Sequence, residues 1–315
     1  MFRIARLGAG DEDAQGSVDM SDESAGVNVS LEGRVVLVTG ANTGLGYETA
    51  LALAGMGARV LLHGRDRGKV DQAVKAIRQA TGSEVVEGLV ADLASMVQVK
   101  ALAEEVRGRT ERLHVLVNNA GIILGSRTET PEGLETTFAV NHLAPFLLTG
   151  ELLGLLKAAA PARVVTVASG WHTAVRGLDF EDLQHARRYD GKVAYQRSKL
   201  ANILFTRALA KRLEGRGVTA NCLHPGVVRT RFGQDGDISG ALAFFFRLAR
   251  PLFLAPAAGA RTSIYLASSP EVGQVSGEYF VKSKAARPSD AALDDQAAER
   301  LWAESERLLA AIAAG

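Results

Sequence analysis

The chain has 315 residues, and its Lys+Arg and Asp+Glu totals nearly cancel, leaving a formal net charge of +1. That length suffices for one large α/β domain with a substantial core, and the lack of any basic block argues against a nucleic-acid partner. Cys222 is the single cysteine, which excludes an intrachain disulfide; it reads as a small core residue in a reducing compartment.

Residues 1–30 are polar and acidic without periodicity and are read as a disordered tail, followed by an ordered domain over 31–315. Within the tail, Met20-Ser21-Asp22-Glu23 reads as an alternative start. Residues 1–10 carry Arg3 and Arg6 but no continuous apolar segment, so no signal peptide is expected. The apolar stretch 241–257 is interrupted by Arg247, Arg250 and Pro251 and is too short to span a bilayer. The expectation is a cytoplasmic protein without a transmembrane segment.

Order begins at Gly33. Arg34-Val35-Val36-Leu37-Val38 is a short β-branched apolar run, the mark of a buried parallel strand. The pattern then predicts a helix over 44–57, a strand over 59–63, a helix over 70–79, a strand over 84–90, a helix over 97–106 and a strand over 113–117. A long helix over 134–159, a strand over 163–168, a helix over 195–213 and a strand over 218–223 follow, then a helix ending at 262–266 and a short strand at 277–281. Leu293, Ala297, Leu301 and Leu308 recur at helical spacing, with Ser289 or Asp290 as the expected N-cap. This alternation predicts βαβ units, hence an α/β fold: a single doubly wound domain with a mostly parallel central sheet and helices on both faces.

Gly40, Gly44 and Gly46 follow the first strand and open the first helix. Backbone without Cβ can approach a pyrophosphate there, and a helix N-terminus supplies free N–H groups. At the end of the second strand stands His63-Gly64-Arg65-Asp66. Gly64 occupies the place where an acidic residue would select NAD, and the Arg65 guanidinium could hold a 2′-phosphate, which favours NADP(H). The alternative makes Arg65 a solvated loop residue and Asp66 the ribose ligand. Ala91-Asp92-Leu93 places a carboxylate where an adenine amino group could bind, although Asp92 could equally cap the next helix. Asn118-Asn119-Ala120-Gly121 ends the fourth strand, either opening the backbone to a cofactor or forming a simple turn. Tyr195 and Lys199, four apart, share one helix face; a phenol could deliver a proton, and a nearby ammonium would lower its pKa.

Together these runs resemble the short-chain dehydrogenase/reductase family. Thr39-Gly40-Ala41-Asn42-Thr43-Gly44-Leu45-Gly46 is similar to its glycine motif, Asn118 to Gly121 to its NNAG segment, Tyr195 and Lys199 to its YxxxK pair, and Pro225-Gly226-Val227-Val228-Arg229-Thr230 to its PG segment. Ser169 and Asn141 match its other two active-site residues. Phe138-Ala139-Val140-Asn141-His142-Leu143-Ala144-Pro145-Phe146-Leu147-Leu148-Thr149, Tyr195 to Asn202, Leu223-His224-Pro225-Gly226 and the long interval from Ser169 to Tyr195 are most similar to a retinol-dehydrogenase-like subgroup. The polar tail departs from the apolar N-terminal segment of that subgroup's membrane-anchored members, so retinoid specificity is not carried over.

The resemblance implies a Rossmann-type domain and a catalytic set of Asn141, Ser169, Tyr195 and Lys199. Lys199 would also bond the nicotinamide ribose, Ser169 the substrate oxygen, and Asn141 a water linking Lys199 to solvent. Implied cofactor contacts are Gly40, Asn42, Thr43, Gly44, Leu45, Gly46, Arg65, Asp92, Leu93, Asn119, Ala120, Gly121, Tyr195, Lys199, Pro225, Gly226, Val228 and Thr230. No metal is expected: His142 and His172 lack ligand spacing and read as structural or substrate-adjacent.

The function expected is hydride transfer between NADP(H) and a carbonyl or alcohol of a lipophilic small molecule. The alternatives are a non-catalytic dinucleotide-sensing or scaffold protein and a carbon–carbon double-bond reductase. Residues 233–257, with Phe244, Phe245 and Leu248, read as a substrate lid, a core or oligomer helix, or an interfacial helix. Helices around Asn141 and Tyr195 could pair subunits into a homodimer or homotetramer, which the insertion before Tyr195 could block.

Overall fold

The strand segments are apolar on both faces because they are covered on both faces. In the computed structural model, which describes residues 29–226 and 254–314, β1 (Val35–Val38) is buried throughout. Val35 and Leu37 enter one core while Val36 and Val38 enter the other. The remaining parallel strands are β2 (Arg59–Gly64), β3 (Val86–Val90), β4 (Val115–Asn118), β5 (Ala162–Val167), β6 (Val218–His224) and β7 (Tyr279–Val281). The order is β3-β2-β1-β4-β5-β6-β7-β8. Among the strands of the described residues, only β8 (Lys284–Ala285) runs antiparallel, against β7.

On one face lie α1 (Gly44–Gly55), α2 (Arg67–Thr81) and α6 (Pro256–Ser268). On the other lie α3 (Met96–Arg109), α4 (Thr136–Ala158), α5 (Gly191–Arg212) and α7 (Asp295–Ala314). The chain thus folds as a single Rossmann-like α/β domain. Helix α2 shows why such segments dock: Val70, Ala73 and Ile77 form its buried stripe, and burying a side chain the size of Val or Ile is worth about 1.5–3 kcal/mol. Asp66 caps it by accepting from the Lys69 N–H at 2.9 Å, and Gly82 ends it at φ +70°.

Several boundaries differ from the sequence reading for local reasons. Helix α5 starts at Gly191 rather than Tyr195, because the Asp190 carboxylate accepts from the Lys192 and Val193 N–H groups. Helix α7 is capped by Asp294, which accepts from the Ala297 N–H at 2.9 Å, and not by Ser289 or Asp290. Helix α4 contains a π-turn at Ala139–Leu143. It is also long and apolar enough to cross a membrane by length and composition, but 67% of that window is buried against the rest of the fold, as in a core helix. Residues 1–28, the larger part of the expected tail, lie outside the described residues. So do residues 227–253, which include Val228, Thr230, Phe244, Phe245 and Leu248.

Helix α7 lies along α5. Trp302 packs on Phe146 and Phe205 at ring separations of 4.7 and 6.0 Å, with the Arg212 guanidinium 4.0 Å above its ring. Arg212 pairs with Glu299, and Arg207 and Lys211 with Asp295. The strand order reverses at β1, which has β2 on one side and β4 on the other. In open parallel sheets, the crevice beyond the strand ends at such a point is where ligands bind.

Candidate active site

Beyond β1 the chain turns through Gly40 at φ +61° and Gly44 at φ +60° into α1. A Cβ on Gly40 would sit 2.9 Å from the Ala120 Cα, and one on Gly46 would overlap Asn119 and the Gly40 carbonyl. The loop is tied to the end of β4. Asn119 Nδ2 donates to the Thr39 and Gly40 carbonyls at 2.8 and 3.1 Å, and Thr39 Oγ1 accepts from the Asn119 and Ala120 N–H groups. The Asn119 side chain therefore holds the loop.

Helix α1 begins after Thr43 with no side-chain cap and no acidic residue in its first turn. Its opening N–H groups and positive dipole end are left for an anion. Bare glycine backbone beside an uncapped helix start fits a dinucleotide pyrophosphate, with Asn42, Thr43 and Leu45 alongside.

The end of β2 carries Gly64, where a Cβ would lie 2.8 Å from Val70 Cγ2 and 2.9 Å from Asn42 Oδ1. A carboxylate-bearing residue does not fit there without displacement. Arg65 next to it is exposed and forms no hydrogen bond or ion pair among the described residues. Asp66 is engaged in capping α2. Past β3, Asp92 is exposed, and its Oδ1 accepts from the Ala94 N–H at 2.9 Å. The cap of α3 is Ser95, so the helix-capping role open to Asp92 is taken by another residue. Leu93 is buried beneath it.

Four side chains converge at the carboxyl ends of β4 and β5. Ser169 follows β5 and caps the short 3₁₀ turn Gly170–Ala174, its Oγ accepting from the Trp171 N–H at 3.2 Å. The Ser169 hydroxyl acts on the phenol of Tyr195, whose ring meets Trp171 edge-on at 5.8 Å. Lys199 is 3% exposed, with Nζ donating to the Val167 carbonyl at 3.0 Å and 5.7 Å from the Tyr195 ring centre. Asn141 lies in the π-turn of α4. Its Oδ1 accepts from the Ile122 N–H at 2.8 Å, and its Nδ2 donates to the Ile122 carbonyl and to Ser198 Oγ, both at 2.9 Å. Gly121 leaves room at the junction: a Cβ there would be 3.2 Å from Lys199 Nζ and 3.3 Å from Asn141 Oδ1.

Burial pushes the Tyr195 phenol up to about 12, opposed by the Ser169 hydroxyl, and pushes Lys199 down to about 8. Nζ is turned to a backbone carbonyl, and loss of hydration is the largest influence on both groups.

Pro225 and Gly226 close the site beyond β6, Gly226 at φ +85° with Leu254 against it. Cys222 is buried in β6 with its thiol pushed up to about 12 by burial, which suits a core residue. His142 is wholly buried among Phe138, Phe146 and Phe205, with Nε2 2.9 Å from Ser305 Oγ, so it is a core residue and not substrate-adjacent. His172 braces the serine turn, its Nδ1 2.7 Å from the Ser169 carbonyl and its Nε2 accepting from the Ser289 N–H at 3.1 Å. His63, missed by the sequence reading, touches both the glycine loop and the end of β3. Its signal was a polar residue within a buried strand, which has to find partners. Among the described residues, no three His, Cys, Asp or Glu side chains gather as a metal site.

The family model for short chain dehydrogenases matches residues 34–237. Mouse retinol dehydrogenase 14 is 45% identical over 294 residues, covering 88% of this chain and 86% of that protein. Human retinol dehydrogenase 13 is 43% identical, with 89% and 86% covered. Among solved structures, an uncharacterized protein from Mycobacterium Paratuberculosis superposes with a TM-score of 0.72 at 32% identity, covering 89% of this chain and 94% of its own. The Pseudomonas aeruginosa RhlG/NADP active-site complex superposes at 0.64 with 28% identity, covering 83% and 96%.

Proposed function

Because the chain belongs to the short-chain dehydrogenase family, whose retinol-dehydrogenase-like members it resembles throughout, we propose that it is an NADP(H)-dependent oxidoreductase interconverting a carbonyl and an alcohol on a lipophilic small molecule. The observation that carries this reading is the convergence of Ser169, Tyr195, Lys199 and Asn141 beside the glycine loop. The nicotinamide, when bound, supplies or accepts the hydride at the substrate carbon.

The chain's own residues manage the oxygen. The Tyr195 hydroxyl delivers its proton to the carbonyl oxygen during reduction and recovers it in the reverse direction. Ser169 Oγ, which acts on the same phenol, donates to the same oxygen as charge develops on it. Lys199 holds positive charge near the phenol and, with Asn141 and the Ile122 carbonyl behind it, joins the proton path to solvent. Gly40, Asn42, Thr43, Gly44, Leu45, Gly46, Ala120 and Gly121 would hold the dinucleotide, with Asp92 and Leu93 at the adenine and Pro225, Gly226, Val228 and Thr230 toward the nicotinamide.

NADP(H) is favoured over NAD(H) by an obstructed Gly64 and an exposed Arg65, and the RhlG structure is named as an NADP complex. A lipophilic substrate is favoured by the names of the retinol dehydrogenase relatives and by the apolar run Phe244-Phe245-Phe246. A cytoplasmic location and a homodimer or homotetramer belong to the same proposal; cell fractionation and sedimentation test them. The main test follows loss of NADPH absorbance with aldehydes of increasing chain length. Rates should climb with chain length, while a protein that binds NADPH and turns over no carbonyl would be a dinucleotide sensor or scaffold instead.

A further inference from the structure

His63 is the penultimate residue of β2, with 2% of its surface exposed. Its backbone carbonyl accepts from the Ala41 N–H at 2.8 Å, and its ring Nδ1 accepts from the Gly40 N–H at 3.3 Å. One residue thus takes two consecutive N–H groups of the glycine loop. On the other side, Nε2 lies 3.0 Å from the Ala91 carbonyl, one residue before Asp92. Because the Gly40 N–H can only donate and the Ala91 carbonyl can only accept, the ring must be neutral, with its proton on Nε2.

We propose that His63 is a positioning residue for the dinucleotide: its neutral Nε2–H ring links the glycine loop to the end of β3 and fixes the adenosine half of the cofactor site. The inference rests on the oxidoreductase reading above and adds a residue to it. The loop N–H groups that follow, from Asn42 into α1, remain for phosphate because Gly40 and Ala41 are already bonded. An apolar residue at 63 would leave the Gly40 N–H and the Ala91 carbonyl without partners in a dry place, and the loop would shift to find others. Burial holds the ring near a pKa of about 4, with the Ala91 bond and the Asp92 charge pulling the other way, so the acceptor at Nδ1 persists at neutral pH.

The test compares wild type with His63→Leu, His63→Asn and His63→Gln, titrating NADPH and NADH by fluorescence and measuring kcat at saturating cofactor. Asn can restore the acceptor for Gly40, and Gln the donor for Ala91. His63→Leu is expected to weaken cofactor binding about tenfold or more, the factor for roughly 1.4 kcal/mol, with kcat within about twofold of wild type. Asn or Gln should recover part of the affinity. Leu binding at wild-type strength, or an equal fall in kcat with no rescue, overturns the proposal. Histidine ¹⁵N spectra of the wild type provide a readout that needs no variant: an Nδ1–H ring or an imidazolium at neutral pH overturns it as well. A wild type that binds neither dinucleotide removes the oxidoreductase reading itself, an outcome distinct from variants that merely match the wild type.

Discussion

Lys199 donates its Nζ to the carbonyl oxygen of Val167 at 3.0 Å, two residues ahead of Ser169. The same carbonyl lies 3.4 Å from Asn202 Nδ2, so it keeps a partner when Lys199 turns elsewhere. Burial lowers Lys199 from 10.5 to about 8, which amounts to a penalty of about 3 kcal/mol. The folded pKa lies below the unfolded one, so the unfolded chain binds this proton more tightly. The penalty is full below pH 8 and fades as pH rises toward 10.5. Lys199→Met removes it and loses a hydrogen bond worth about 1 kcal/mol. The variant should therefore unfold at higher denaturant than wild type at pH 7, by roughly 2 kcal/mol, with the advantage shrinking by pH 10. It should also lose turnover. Urea titrations at the two pH values check this; a variant less stable at pH 7 would show that the ammonium is well satisfied where it sits.

Tyr195→Phe tests the proton donor alone. The ring keeps its edge-on contact with Trp171, and the hydroxyl is lost. Turnover should fall by about 10²–10⁴, the range for removing a general acid or base, while NADPH binding stays near wild type. Fluorescence titration beside steady-state rates separates the two effects. A near-normal rate would mean that the proton comes from another group.

The helix that carries these two residues was legible in the sequence because apolar residues recur along it at helical spacing, and the structure places both on α5. The parallel sheet was legible for a similar reason: Val36 and Val38 face one core and Val35 and Leu37 the other, so the strand reads as unbroken apolar residues. Features set by single backbone deviations were not legible. The π-turn that carries Asn141 adds one residue to a helix whose periodicity looks continuous. The β7–β8 hairpin turns through Lys282 and Ser283 at φ +50° and +59°, a left-handed pair that usually announces itself with Asn or Gly. The role of His63 depends on Gly40 and Ala91, residues 23 and 28 positions away, and no local pattern carries it.

Arg65→Ala tests cofactor choice. A charge-assisted bond to a 2′-phosphate is worth about 1.5–3 kcal/mol, so NADPH affinity should fall by about tenfold to over a hundredfold while NADH affinity hardly moves. The obstruction at Gly64 by Val70 and Asn42 also implies that Gly64→Asp alone makes a poor NAD enzyme, because the new side chain displaces a loop residue. Equal losses of NADPH and NADH in Arg65→Ala, or a wild type preferring NADH, would remove the NADP assignment.

Gly121→Ala and Gly154→Ala make the same chemical change in opposite surroundings. At Gly154, an exposed position within α4, a new Cβ meets nothing within 4 Å, and replacing a helical glycine should stabilise the protein by about 0.5–1 kcal/mol. At Gly121 the Cβ would press on Lys199 Nζ at 3.2 Å and Asn141 Oδ1 at 3.3 Å. Both distances are a few tenths of an ångström short of ordinary contact, so the fold should survive while the two polar ends shift. The ammonium is the freer of the two, since Asn141 is held by three hydrogen bonds. Turnover should therefore fall by an order of magnitude or more, as small displacements of catalytic groups do, with the melting temperature little changed. Thermal melts and steady-state rates on both variants decide the matter. If Gly121→Ala turns over like wild type, the space above Gly121 is not the place where Lys199 works.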